Sequence, residues 1–392
     1  MSSTSVGASD DSTAPSSPAD AESWPTPADR FPPWNRTIGT DRADGSPDRK
    51  TQVGMRINGI RGAVVAGAAG LALLAGCGGG GDAEASGEAS NETRTVTDSS
   101  GTEVEVPADP QSIVTLHYAA TETLMDLDFP PVRQGAFVET GVPEEWVDQL
   151  GEIPVVAQEE PDLEKIAEAE PDLILSPNTQ EPEMIEQLQE IAPVYQFTLR
   201  GGDRGKWKQR VEEVAEAINR SDELEALDSE FEAEQKRIAD EYADVTKGTT
   251  IGAASSFEDN SAFLWGSENM LGTILSPLGF DWSADEDTMV EKYGEAAQGG
   301  NKSGKVEPEA QISMEVLDKS LSDADIIFVN SDLRGDYDEL TTTLTESAVF
   351  KELPAAEAGH VYPIGKATIA GYSDAEYGLK MAEEALQEYQ KD

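Results

Sequence analysis

A single cysteine in 392 residues rules out an internal disulfide and any multi-cysteine metal cluster. Histidine is nearly as scarce. His117 and His360 are the only two, too few for a bare-metal site built on several histidines. Basic residues are outnumbered as well, 28 Lys and Arg against 77 Asp and Glu, for a formal net charge of −49. Acids and bases are almost balanced over the first 76 residues, so the excess belongs to the remainder. A surface of that sign repels nucleic acid and anionic lipid, which argues against DNA or RNA as partners. It suits a salt-rich exterior, where screening removes the self-repulsion, and also an acidic secreted protein from a moderate environment. No Gly-x-Ser-x-Gly, His-Glu-x-x-His or phosphate-loop pattern is present, and carboxylates are so numerous that a close pair carries no information. The sequence therefore offers no catalytic constellation and is read as that of a non-enzyme.

What is present begins with a change of character near residue 55. Residues 1–54 are rich in Ser, Pro, Asp and Ala without an apolar face, and are read as a disordered or mis-annotated extension. Met55, Arg56 and Arg61 then precede an uncharged run over 62–76, too short for a comfortable membrane span. The run ends Leu74-Ala75-Gly76-Cys77, which resembles the lipobox of bacterial-type lipoproteins. That resemblance makes 55–76 a signal peptide and Cys77 the lipidated first residue of the mature chain. Residues 77–94, rich in Gly, Ala, Ser and Glu, read as a flexible tether.

The folded part is organised around residues 221–245. Leu224, Leu227, Phe231, Ile238, Tyr242 and Val245 recur at spacings of three, four and seven, the mark of one apolar helical stripe. Ser221 is placed to cap this helix and Gly248 to stop it. About 24 residues at 1.5 Å each span roughly 36 Å, enough to run from one domain to another. Each side of the rod carries one copy of the same pattern: LEKIAEAEPDLIL before it and MEVLDKSLSDADIIFV after it. Elsewhere short apolar strands alternate with helical stretches, including helices expected over 267–278 and 312–321. Such alternation argues for parallel sheets covered on both faces. The fold class is α/β, with lobes over 95–220 and 248–392 and an interlobe helix over 221–247.

The stretches DSSGTEVEVPADPQSIVTL, TETLMDL, LEKIAEAEPDLIL, LQEIAPV, WKQRVEEVAEAI, DADIIFV and VFKELPAAEAGHVYPIG, in this order around the rod, resemble the substrate-binding lipoproteins of ABC importers for ferric siderophores, haem and cobalamin. The likeness covers about three quarters of the chain. It implies two Rossmann-like lobes joined by one helix, an extracytoplasmic receptor on the outer face of the cytoplasmic membrane, permease subunits as partners and a monomeric state. It implies no cofactor and, as cargo, an iron(III)-siderophore chelate. Cobalamin or haem is the alternative cargo, and a bare metal a weaker one. His117-Tyr118 departs from the family pattern, in which small or polar residues often follow the first strand, and this leaves the ligand class open.

Ligands of open α/β sheets sit at the carboxyl ends of the strands, and those ends nominate the site. Arg200, Arg204, Lys206, Lys208 and Arg210 crowd into eleven positions of a base-poor chain, and Arg334 and Lys366 follow strands of the second lobe. Arg200, Arg204, Arg334 and Lys366 are candidates for an anionic chelate, with Tyr118, Trp265, Tyr337 and Tyr372 for stacking on aromatic ligand groups. Each of these has an ordinary packing or charge-balancing role as its competing reading. The repeated pattern places Glu164 and Glu315 before equivalent strands, and the resemblance implies that they dock on arginines of two permease subunits. Cys77→Ser is expected to release the protein from the membrane fraction or to leave it unprocessed. Unchanged lipid labelling of that variant would contradict the anchor.

Overall fold

In the computed structural model, the described residues are 92–158, 160–200, 205–294 and 307–391. The expectations for the N-terminal extension, the signal peptide, Cys77 and Arg204 lie outside them. The first described element is a hairpin of β1 (Thr93–Thr97) and β2 (Glu103–Pro107). Its turn needs the positive φ of Gly101 and is tied by the Asp98 carboxylate, which accepts the backbone N–H groups of Ser100 and Thr102 at 2.9 and 3.0 Å. Val96 and Val106 pin the hairpin to the core.

Uncharged runs of Ile, Val and Leu make the first lobe's strands, because a strand covered by helices on both faces has no side for charge. In chain order the lobe runs β3 (Ile113–Thr115), α1 (Tyr118–Asp126), β4 (Gln134–Gly135), α2 (Glu144–Glu152), β5 (Val155–Ala157), α3 (Leu163–Glu168), β6 (Leu173–Pro177), α4 (Pro182–Gln189), β7 (Val194–Phe197) and α5 (Trp207–Ala217). The strands lie side by side in the order β5, β4, β3, β6, β7, all parallel, with β4 joined to β3 through a bridge from Val114 to Arg133. This is the strand order of a Rossmann half, and its direction reverses between β3 and β6.

The rod is α6 (Ser221–Glu241), followed by the short α7 (Ala243–Thr246). Leu224, Phe231 and Ile238 are buried along it, as is Tyr242 at its end. Its ends differ from expectation. Arg220, not Ser221, occupies the capping position, and the helix already breaks at Tyr242, six residues before the positive-φ Gly248.

The second lobe contains β8 (Thr250–Ser255), β9 (Ser261–Leu264), α8 (Met270–Leu275), β10 (Asp281–Trp282), α9 (Ala284–Tyr293), β11 (Ala310–Ser313), β12 (Ile326–Asn330), α10 (Glu339–Glu346), α11 (Ala348–Lys351), α12 (Pro354–Ala358), β13 (Val361–Gly365) and α13 (Tyr372–Tyr389). Its sheet is mixed rather than wholly parallel: β8, β10, β12 and β13 run together, while β9 lies antiparallel to β8 and β11 antiparallel to β9. The outer edge of β8 pairs with β10 at Thr250 and Ile251 and with β9 at Ala254 and Ser255. Glu286 fills the break between them, accepting the backbone N–H groups of Ala253 and Trp265, each at 3.1 Å. Burial raises its carboxyl well above the usual carboxylate range, against the hydrogen bonds from Ala253 and Trp265. The helix expected over 267–278 is only α8 plus one 3-10 turn over Ser276–Leu278, and that over 312–321 is strand β11 followed by a 3-10 turn over Met314–Lys319.

One continuous apolar core runs from the first lobe through the rod into the second, joining Leu124, Trp207, Phe231, Ile364, Tyr372 and Leu379. Where α1 meets α13, a first-lobe carboxylate completes a second-lobe helix. Asp126 accepts the Tyr372 and Ser373 N–H groups at 2.7 and 3.2 Å, two donors that the first turn of α13 leaves unsatisfied. Gly371 permits the approach, since a Cβ there would stand 2.1 Å from Oδ2 of Asp126.

Candidate functional site at the strand switch point

The reversal of strand order between β3 and β6 leaves a crevice at their carboxyl ends, and a cavity of about 370 Å³ occupies it. Leu116 and His117 line it from β3, Gln158 from β5, and Pro177 and Thr179 from β6, with Glu160 and Glu181 on its wall. The volume is of the order of small-ligand sites. A second hollow of about 250 Å³ lies against α5, the rod and Thr273, away from the strand ends.

The loops around the cavity are held by side chains that close their backbone groups. Asn178 clamps the turn after β7: its Oδ1 accepts the Leu199 and Arg200 N–H groups, each at 3.0 Å, and its Nδ2 donates to the Arg200 carbonyl at 2.8 Å. Half-buried Arg200 is thereby fixed beside the β6 end. His117 caps α1, its Nδ1 accepting the Ala119 N–H at 3.2 Å. Its ring lies 4.3 Å from that of Tyr118 and 6.5 Å from that of Phe197. Burial first, and then the positive charges of Arg210, Arg200 and Lys366, lower the His117 pKa to about 3. In a chain of net charge −49, the groups acting on this histidine are cations.

The other candidate residues divide. Tyr118 stands at the start of α1, half-buried, with the Lys366 ammonium 5.5 Å from its ring centre. Trp265 is 2% exposed, donates from Nε1 to Ser255 Oγ at 3.1 Å and packs against Phe257 and Phe263, so it belongs to the core and is withdrawn from ligand stacking. Tyr372, 3% exposed, is withdrawn likewise. It is wedged between Trp207 and Phe231, and its hydroxyl donates to Asp228 of the rod at 2.8 Å. Tyr337 packs partly buried against the second lobe's core. Lys208 pairs with Asp228 and, at 3.5 Å, with Glu232, so it faces the rod.

The two second-lobe cations are engaged across the seam between lobes. Arg334 donates from Nη1 to the Val142 carbonyl at 3.1 Å and from Nη2 to that of Glu139 at 3.3 Å, beside a Leu333 N–H that meets the Thr140 carbonyl at 2.8 Å. Lys366 is enclosed more deeply. Its ammonium reaches Glu122 Oε2 at 2.7 Å, Asp374 Oδ2 at 2.8 Å and the Gly141 carbonyl at 3.0 Å. Burial opposes that charge, but Asp374 and Glu122 overcome it and raise the lysine's pKa. Burial also raises the Glu122 carboxyl well above its usual range, Asp374 adding to the shift and Lys366 offsetting it. Burial and Asp374 push Asp126 up to about 7, against its hydrogen bonds to residues 372 and 373. Sequence reasoning found these cations but not their partners. It also left out His117, Asn178 and Gln158 as site residues, although they lie at or just past the strand ends where a ligand was expected.

Glu164 and Glu315 are both exposed. Each stands in the first turn of a short helical segment, α3 or the 3-10 turn after β11, that leads into a parallel strand.

Comparison with known proteins gives a consistent result. The model of the family described as "Periplasmic binding protein" matches residues 113–368. A probable siderophore-binding lipoprotein of Bacillus subtilis, YfiY, is 27% identical over 302 residues, covering 74% of this chain and 86% of that one. The solved siderophore periplasmic binding protein from the fuscachelin gene cluster of Thermobifida fusca is 30% identical with a TM-score of 0.58, covering 72% of this chain and 98% of that one. SirA of Staphylococcus aureus, solved with staphyloferrin B, shares the fold at 23% identity and a TM-score of 0.57, over 76% and 99% of the two chains.

Lys366→Met removes the one cation of the buried cluster and is expected to cost about 3–5 kcal/mol at pH 7. Glu122 and Asp126 bind protons more tightly folded than unfolded, so their contribution to stability falls as pH rises through the raised folded values. The deficit against the unaltered protein should therefore shrink at pH 5. Urea melts at the two pH values check this, and an equal deficit at both would contradict the assignment.

Proposed function

We propose, from the premise that the chain belongs to the periplasmic binding protein family, that it is the extracytoplasmic receptor of an ABC importer and that its cargo is a ferric siderophore. The observation that carries the cargo class is that three cations, Arg210, Arg200 and Lys366, act on His117 at the rim of the switch-point cavity of a strongly acidic protein, although Glu160 and Glu181 stand on its wall. Cations near the cavity attract the anionic oxygens of an iron chelate, and charge-assisted hydrogen bonds from Arg200 hold them there. The names of the B. subtilis and T. fusca relatives support the same class. The protein performs no chemistry on its cargo in this reading; a permease with its own ATPase does the transport work. Lipid on Cys77 keeps it at the outer face of the cytoplasmic membrane, with the lobes over 95–220 and 248–392 and the interlobe helix over 221–247. It works as a monomer.

Ligand contacts are assigned first to Arg200 and Tyr118, which stand at the carboxyl edge of the first lobe, and to Arg204, four residues further along the sequence. Arg334 and Lys366 act indirectly, by holding the second lobe's edge against the first, and Tyr337 by packing against the second lobe's core. Arg200→Ala is expected to weaken binding of ferric citrate or a ferric catecholate about ten- to a hundredfold, followed by quenching of tryptophan fluorescence. Absence of quenching across such a panel in the unaltered protein would overturn the cargo class.

Docking is assigned to Glu164 and Glu315. Exposed ion pairs are individually weak, but two made by one rigid body gain from effective concentration. Replacing both by Ala should abolish uptake with ligand affinity unchanged; normal uptake, or lost affinity, would refute the assignment.

A further inference from the structure

Two histidines occur in the chain, and one of them lines the switch-point cavity. We infer that His117 is a permanently neutral hydrogen-bond donor which, through Nε2, positions an anionic oxygen of the ligand. The inference rests on the receptor reading above and names a determinant of specificity within it.

The helix cap fixes the tautomer. Nδ1 of His117 accepts the Ala119 N–H, so it holds a lone pair, and in a neutral ring the proton must then sit on Nε2. A protonated ring would turn an Nδ1–H against the Ala119 N–H and would place a cation at a helix N-terminus, where the dipole disfavours it. Every charged group that depresses its pKa is positive: Arg200 beyond β7, Arg210 on α5 and Lys366 beyond β13. Glu160 and Glu181 on the cavity wall and Glu122 on α1 are the acids on the surrounding elements, and the ring stays neutral in spite of them. Tyr118 and Phe197 fix the plane of the ring. Among the described residues Nε2 has no hydrogen-bond partner, while the residue forms part of the cavity wall.

A neutral imidazole here does what the arginines cannot. It donates a single directed bond and adds no charge, so it discriminates the position of an oxygen and not the overall charge of the ligand. Because the ring does not titrate near neutrality, its contribution is the same at pH 5 and pH 8.

His117→Asn separates the two roles, since asparagine is a good cap but is too short to carry a donor to the place of Nε2. The thermal midpoint should stay within about 2 °C of the parent. The affinity for ferric citrate or a ferric tris-catecholate should fall about tenfold, equally at pH 5 and pH 8. Long-range proton–nitrogen correlation spectra of the full chain labelled at histidine should show the Nε2–H form throughout that range. An Nδ1–H tautomer, a midpoint between pH 5 and 8, or full affinity in the asparagine variant overturns the inference alone. Failure of the unaltered protein to bind either chelate overturns the receptor's cargo class and this inference with it.

Discussion

One ammonium group, that of Lys366, sits where three parts of the chain meet, and the geometry of the molecule depends on it. It joins Glu122 of α1, Asp374 of α13 and the Gly141 carbonyl at 2.7–3.0 Å. Close by, Asp126 completes the first turn of α13 from the other lobe. Buried ion pairs add little net stability compared with well-packed apolar residues, because desolvation cancels most of the attraction. Their geometric demand is strict, however, and here it fixes how the carboxyl edges of the two sheets face each other. The apolar core shared through Trp207, Phe231 and Tyr372 supplies cohesion, and the ionic seam supplies register.

Charge is divided by depth. Among the described residues few acids are buried, Asp98, Glu122, Glu286, Glu309 and Asp374, while the cations at the strand ends are held in place by backbone and carboxylate contacts. Burial first, and then the cations Arg210, Arg200 and Lys366, disfavour a proton on the His117 ring.

The α/β class, the rod and most first-lobe strands were legible in the sequence, because buried parallel strands such as Leu173–Pro177 read as uncharged runs between amphipathic helices. Some strands of both lobes were not. Val155–Ala157 and Ser261–Leu264 are three and four residues long, and β9 runs antiparallel where alternation implied parallel pairing. The site was half legible for a related reason. Position after a strand predicts nearness to the crevice, but not which way a side chain turns, so Trp265 and Tyr372 went into the core. Lys366 and Glu122 are 244 residues apart, and no local pattern announces a partner at that separation. His117 was visible as a departure in the sequence, yet its role depends on a cap and a cavity that only the fold brings together.

The central claim is that one anionic iron chelate occupies the crevice as intact cargo. Native mass spectrometry of the purified chain, mixed with an equimolar ferric siderophore and its iron-free form, tests this most directly. The account predicts one ferric chelate per chain, with iron and chelator retained together and the iron-free form bound less. A spectrum showing only the bare chain, or iron bound without its chelator, would contradict it.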